Sequence, residues 1–186
     1  WYGKQERAKV KVLCCMASCC LALVMTWCVT ASAMRYRPVD PRSGLEAVSE
    51  VFYPYFAADA GRFEAGCFPS EHMAYLAALA LGLFALNRRV GVAAFVVAVV
   101  FQGLFRMAAG LHYVSDVAFG IGFGCVAHWL VFAGAALPRR EWVKRMTAAV
   151  EESSLLQAGL VLAVVEMAVA FGDVRFLGMV FAGGGG

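Results

Sequence analysis

Two short polar islands interrupt a largely apolar chain: Cys67-Phe-Pro-Ser-Glu-His72 and Phe105-Arg-Met-Ala-Ala-Gly-Leu-His-Tyr-Val-Ser-Asp116. Between them the sequence is mostly Ala, Leu, Val and Phe. Ionisable residues at the ends of long apolar segments are costly unless they are paired or functional. A serine, two histidines, an arginine and an aspartate gathered in this way point to one reaction centre. The apolar runs on either side point to helices that cross a membrane.

Composition supports that reading. Of the 186 residues, 62% are hydrophobic and 16% charged, with a mean hydropathy of +0.72. A soluble globular chain carries about a quarter charged residues. The expected fold is therefore all-α, a polytopic membrane helix bundle with about five transmembrane helices. The runs fall at roughly residues 12–34, 71–86, 90–105 and 114–136, with a fifth from Leu155 that carries Glu166. A single membrane-embedded domain over residues 1–186 is expected, with its motif-bearing core at about 30–125. The basic residues form no contiguous face, so nucleic acid is excluded as a partner, and no obligate protein partner is evident. The cysteines at 14, 15, 19, 20 and 28 share the first run; they read as small packing residues, with a soft metal or acylation as the alternatives. Residues 45–56 mix aromatics and acids around Pro54, as an interfacial anchor or a lid would.

Chemistry enters with the islands. Pro69 and Ser70 at the entrance to an apolar run form an N-cap arrangement that leaves a helix dipole available to an anion, although taken alone Pro-Ser-Glu-His is more often a plain helix cap. His72 lies in the first turn of that helix, where neighbouring Glu71 favours the imidazolium that a general acid requires. His112 and Asp116 are four apart on a helix face, so the carboxylate can take the proton of one ring nitrogen and leave the other as a nucleophile. Arg106 offers a fork for phosphate oxygens across a turn marked by Gly110. A metal site built on His72, His112 and Asp116 competes with this reading, but an adjacent arginine would repel a divalent cation. His128, mid-run, reads as a hydrogen-bonding residue of the bundle.

The stretch from Arg37-Pro38 through Phe68-Pro-Ser-Glu-His72 to Arg106-x5-His112-x3-Asp116 resembles the type 2 phosphatidic-acid phosphatase family, which shares its site with vanadium-dependent haloperoxidases. The resemblance implies a metal-independent, cofactor-free phosphatase acting on lipid phosphates or diphosphates. In it His112 becomes phosphorylated, Asp116 orients it and His72 protonates the leaving oxygen. Arg37, Arg106 and Ser70 would bind the phosphoryl group. The family's lysine is Thr30 here, its glycine is Glu71 and the serine before its arginine is Phe105. Arg35, two residues before Arg37, is expected to lie on the same side of an extended chain and replace the missing charge. The family usually has two spans before the one leading to Arg-Pro, whereas here there is only one. A lipid phosphotransferase and a degenerate lipid-phosphate binder are the alternative functions.

Orientation follows from the cations. Lys4, Arg7, Lys9, Lys11, Arg88, Arg89, Arg139, Arg140, Lys144 and Arg145 gather at alternate ends of the runs, ten of the sixteen lysines and arginines. The positive-inside rule makes these ends cytoplasmic and places both islands on the outer face, in a multi-pass protein of the bacterial inner membrane among membrane lipids. Single cysteines in a background stripped of native ones should therefore react with an impermeant maleimide at position 62 and be protected at position 140 in intact cells; the opposite pattern would invert the orientation.

Overall fold

The computed structural model describes residues 2–33, 35–45, 66–136 and 145, and the fold concerns the compact unit Trp1–Leu137. All regular structure among these residues is helical. Helix α1 (Tyr2–Thr30) leads through a connection containing the 3₁₀ turn Pro41–Ser43 to α2 (Glu71–Leu86). Helix α3 (Arg88–Ala108) and α4 (Val114–Ala136) follow.

Three stretches are long and apolar enough to cross a membrane: Ala8–Thr30, Arg88–Ala108 and Val114–Ala135. The expected count of about five is not confirmed among the described residues. The run from Leu155 and the piece at 45–56 lie outside them, apart from Leu45 itself. The predicted second span does form a helix, but at 16 residues it is about 24 Å long, short of the roughly 30 Å hydrocarbon core. Its role is central packing. Helix α2 lies against α1, α3 and α4, and α1 also packs on α4. Met73, Ala74, Tyr75, Ala77, Ala78 and Ala80 of α2 are buried.

Small residues make this packing close. In α1 the inward face is Cys14, Cys15, Ser18, Cys19, Ala22 and Thr26, all buried. The buried Ser18 and Thr26 hydroxyls donate back to the helix carbonyls of Cys14 and Leu23, at 2.6 and 2.8 Å, so neither is left unsatisfied. Cys19 and Cys15 sit beside the Tyr75 and Leu79 carbonyls of α2. The outward faces carry Phe101, Phe105 and Trp129, which are 64, 70 and 67% exposed, the surface a bilayer would cover. His128 Nδ1 has no hydrogen-bond partner among the described residues, and its ring instead lies 4.1 Å from that of Phe132.

Local signals set the helix ends. Asn87 terminates α2 in an extended conformation and caps α3, its side chain accepting from the Arg89 and Val90 N–H groups at 3.0 and 3.3 Å. Lys11 of α1 donates to the Ala85 carbonyl near the end of α2. At the far end of α3, Gly110 adopts φ 69°, Gly110 N–H donates to Met107 and Leu111 N–H donates to Arg106. That is a Schellman stop, which needs the left-handed conformation glycine provides. Within α3, Ala98–Leu104 is π-helical; this segment shifts the side-chain phase just before Arg106, as π-bulges near functional sites do.

Helix α4 approaches α2 through Gly120 and Gly124. A Cβ at Gly120 would run into the Ser70 carbonyl and come within 3.1 Å of Met73 Cβ. One at Gly124 would strike the Ala74 carbonyl and stand 2.8 Å from Ala77 Cβ. Gly122, by contrast, faces open space. Gly124→Ala should therefore destabilise the detergent-solubilised protein by roughly 1–3 kcal/mol through overpacking, whereas Gly122→Ala should leave the thermal unfolding midpoint unchanged or slightly raised.

Candidate active site

The site forms where the carboxyl ends of α1 and α3 meet the amino ends of α2 and α4. Backbone hydrogen bonds tie the connecting segments together. Cys67 N–H donates to Arg35 O at 3.0 Å, Val39 N–H to Gly110 O at 2.9 Å and Ser70 N–H to Asp116 O at 3.0 Å. Thr30 adds a contact from the end of α1, its hydroxyl 3.2 Å from the Phe68 carbonyl. The two helix amino ends present their positive dipole ends to the same corner, an arrangement suited to an anion.

His112 lies in this corner, 5% exposed. Its Nδ1 is 3.0 Å from the Cys67 carbonyl oxygen. A carbonyl only accepts, so Nδ1 carries the proton and Nε2 keeps its lone pair. Nε2 faces Ser70 Oγ at 3.5 Å. Ser70 does occupy the N-cap position of α2, but its side chain makes no cap hydrogen bond; the hydroxyl is turned toward the histidine.

Asp116 is fully buried, and its Oδ2 is 3.7 Å from His112 Nδ1. This is beyond hydrogen-bond range, which differs from the pairing expected from the four-residue spacing. The reason is local. Asp116 is the third residue of α4, and its Oδ2 reaches back to accept the Tyr113 N–H at 2.8 Å, the reciprocal half of a capping box. Its Oδ1 accepts from Arg35 at 2.9 Å. The carboxylate acts on the imidazole through space, while the Cys67 carbonyl holds the proton.

The arginines take three different places in the cluster. Arg37 donates to the Leu111 carbonyl at 3.0 Å, the residue immediately before His112. Arg106 Nε donates to Gln102 Oε1 at 3.0 Å, and its two terminal nitrogens lie 3.4 and 3.2 Å from the two ring nitrogens of His72. A neutral imidazole has one acceptor nitrogen, so at most one of these contacts is a hydrogen bond and the guanidinium lies across the ring. Arg35 reaches the same segment as Arg37 but at its other end. It bonds Ser115 Oγ at 2.8 Å as well as Asp116, and stacks 3.8 Å above the Tyr113 ring.

His112, Ser70, Asp116, Arg37, His72 and Arg106 are thus brought into one cluster, with Arg35 on its outer side. The Cys67 carbonyl, Tyr113 and Gln102 join the site without being singled out by the motifs. Only Gln102 left a usable signal, four residues before Arg106 on the same helix. Cys67 itself is no competing nucleophile: burial, reinforced by Asp116, pushes its thiol up to about 12, far from the thiolate form that reacts.

The described residues therefore define an all-helical protein with helices of membrane-spanning length and a histidine–arginine site at one end of its bundle. The chain belongs to the PAP2 superfamily, whose family model matches residues 12–139 and whose members are in general phosphatases. No curated protein and no solved structure matches the chain.

Burial lowers the pKa of His112, Asp116 opposes that shift, and Arg37 and Arg106 reinforce it. The ring stays neutral to a pH below the ordinary histidine value of about 6.5. A ring-labelled NMR titration should show this depressed midpoint. Arg37→Gln or Arg106→Gln should move it up, and Asp116→Asn should move it further down. A His112 midpoint at or above the free value would contradict the geometry.

Proposed function

We propose that the protein is a phosphohydrolase of the membrane surface that removes phosphate from a lipid phosphate or diphosphate through a phosphohistidine intermediate. The observation that carries this reading is the placement of His112: one ring nitrogen is committed to the Cys67 carbonyl, the other faces Ser70, Arg37 donates to the adjoining Leu111 carbonyl, and Arg106 lies across the His72 ring of the same cluster. A buried neutral imidazole in a cationic neighbourhood is poorly placed to hold a metal or to take up a proton, and well placed to attack an anionic phosphorus.

The reaction then balances in two steps. His112 Nε2 donates its lone pair to phosphorus while the bond from phosphorus to the lipid oxygen breaks, and His72, which takes up a proton from solvent once Arg106 leaves its ring, gives that proton to the oxygen. Water next attacks the phosphohistidine and gives a proton to His72, the P–N bond breaks, and inorganic phosphate leaves with the neutral imidazole restored. Arg37, Arg106, the Ser70 hydroxyl and the first N–H groups of α2 stabilise the charge on the equatorial oxygens. Arg106 moves from the His72 ring to the phosphoryl group when substrate enters. The lipid reading follows from the position of the site at one end of apolar helices, where a headgroup at the bilayer surface would meet it.

The test is phosphate release by the purified chain from phosphatidate, phosphatidylglycerol phosphate and undecaprenyl diphosphate. His112→Ala should abolish turnover, and His72→Ala should slow it by the roughly 100- to 10,000-fold typical of a lost general acid. Activity should survive EDTA. Loss with chelator that a divalent cation restores would move the assignment to a metal site, and binding of the lipids without turnover would leave a binding protein.

A further inference from the structure

Arg35 touches both supports of His112, one with its backbone and one with its side chain. Its carbonyl accepts the Cys67 N–H at 3.0 Å, and the carbonyl of that same Cys67 takes the His112 Nδ1 proton at 3.0 Å. Its guanidinium bonds Asp116 Oδ1 at 2.9 Å and Ser115 Oγ at 2.8 Å, and lies over the Tyr113 ring. Arg37, two residues on, instead binds the Leu111 carbonyl. The two arginines reach opposite ends of the segment 111–116 and bracket the histidine between them.

Resting on the phosphotransfer reading above, we infer that Arg35 is a positioning residue that fixes His112 through Asp116 and Cys67, and is not a ligand of the phosphoryl group. The charge balance supports the assignment. Asp116 is wholly buried, whereas the Arg35 side chain is 41% exposed at the rim of the cluster. A buried carboxylate that loses its cation is strongly destabilised. Relief is at hand in the imidazole Nδ1 only 3.7 Å away. Without Arg35 the carboxylate would draw that N–H away from the Cys67 carbonyl, turning the ring and moving Nε2 off its line toward Ser70. The damage falls on the attacking atom and leaves Arg37, Arg106 and the α2 amino end to bind the anion as before.

The experiment compares phosphate release and inhibition by vanadate, a phosphoryl analogue, in the full chain and in Arg35→Gln, Arg35→Lys, Arg37→Gln and Asp116→Asn, with thermal unfolding recorded for each. In Arg35→Gln, kcat should fall roughly 10- to 100-fold, the worth of one charged hydrogen bond, while the vanadate inhibition constant stays within about twofold. Arg37→Gln should raise that constant by roughly tenfold or more. In Arg35→Lys, kcat should be intermediate, since an ammonium keeps the charge at Asp116 but lacks the planar fork and the stacking face. If Arg35→Gln does not fold, the lysine variant carries the same comparison. Adding Arg35→Gln to Asp116→Asn should cost little more than Asp116→Asn alone, because both remove one support. The inference is overturned if Arg35→Gln weakens vanadate as much as Arg37→Gln does, or if its loss is additive with Asp116→Asn. A wild-type chain that binds vanadate without releasing phosphate overturns the hydrolase reading only; the inference is then judged by direct vanadate binding, unchanged in Arg35→Gln if it holds and weakened if it fails. A wild-type chain that does neither overturns both.

Discussion

The close approach of α4 to the first turns of α2 governs everything at the site. Gly120 and Gly124 remove the side chains that would hold the two backbones apart, and at the contact Ser70 N–H donates to the Asp116 carbonyl. That hydrogen bond joins the start of one helix to the start of the other. Ser70 thereby faces His112, and two positive helix ends share one corner. The length of α2 is set by its own end signals, Ser70 and Asn87. A helix lined with alanine and enclosed on three sides contributes packing surface and an anion-facing end, and does not need the length to span a bilayer.

A second constraint comes from the turn between α3 and α4. The Schellman stop at Gly110 fixes the path from Arg106 to His112, since the same turn that satisfies the Arg106 carbonyl delivers the chain to the histidine. The six-residue spacing is the length of that turn plus one residue. The capping box of α4 then fixes the path from His112 to Asp116, with Tyr113 N–H tied to the carboxylate. The two halves of the motif are thus two helix-end motifs in series. Their polar side chains serve local structure and chemistry together, and the π-helical segment preceding them gives Arg106 its phase.

Electrostatically the corner is a buried imidazole and a buried carboxylate among three arginines. The arginines divide the work by position: Arg37 and Arg106 raise the positive potential around His112, and Arg35 neutralises Asp116 from the rim. This division leaves the histidine neutral while its surroundings remain cationic, the combination that favours an incoming anion over an incoming proton. Thr30, at the position where the family carries a lysine, fits this scheme as a neutral neighbour. Its hydroxyl serves the Phe68 carbonyl and tightens the junction of α1 with the segment before α2.

Much of this was legible in the chain itself. Hydrophobic runs of about twenty residues announce helices because backbone groups in an apolar medium must bond to one another. Pro-Ser before such a run and Gly110 after one announce helix ends because those residues meet specific backbone demands. The clustering of Ser70, His72, Arg106, His112 and Asp116 at the ends of runs pointed to one reaction centre. Three things were not legible. That Cys67 supplies the acceptor for His112 could not be read, because a backbone carbonyl is the same in every residue and only the fold selects which one is near. That Asp116 turns to Tyr113 and Arg35 could not be read from the four-residue spacing, which allows a pairing but does not weigh it against a capping contact one turn earlier. And the destination of Arg35 was invisible because a long flexible side chain goes to whichever buried charge the tertiary structure brings within reach, here a carboxylate eighty-one positions away. The sequence by itself determined which chemical groups meet at the end of the bundle; the packing of α4 on α2 decided which of them touch, because distances of 3 Å are set by how closely backbones approach.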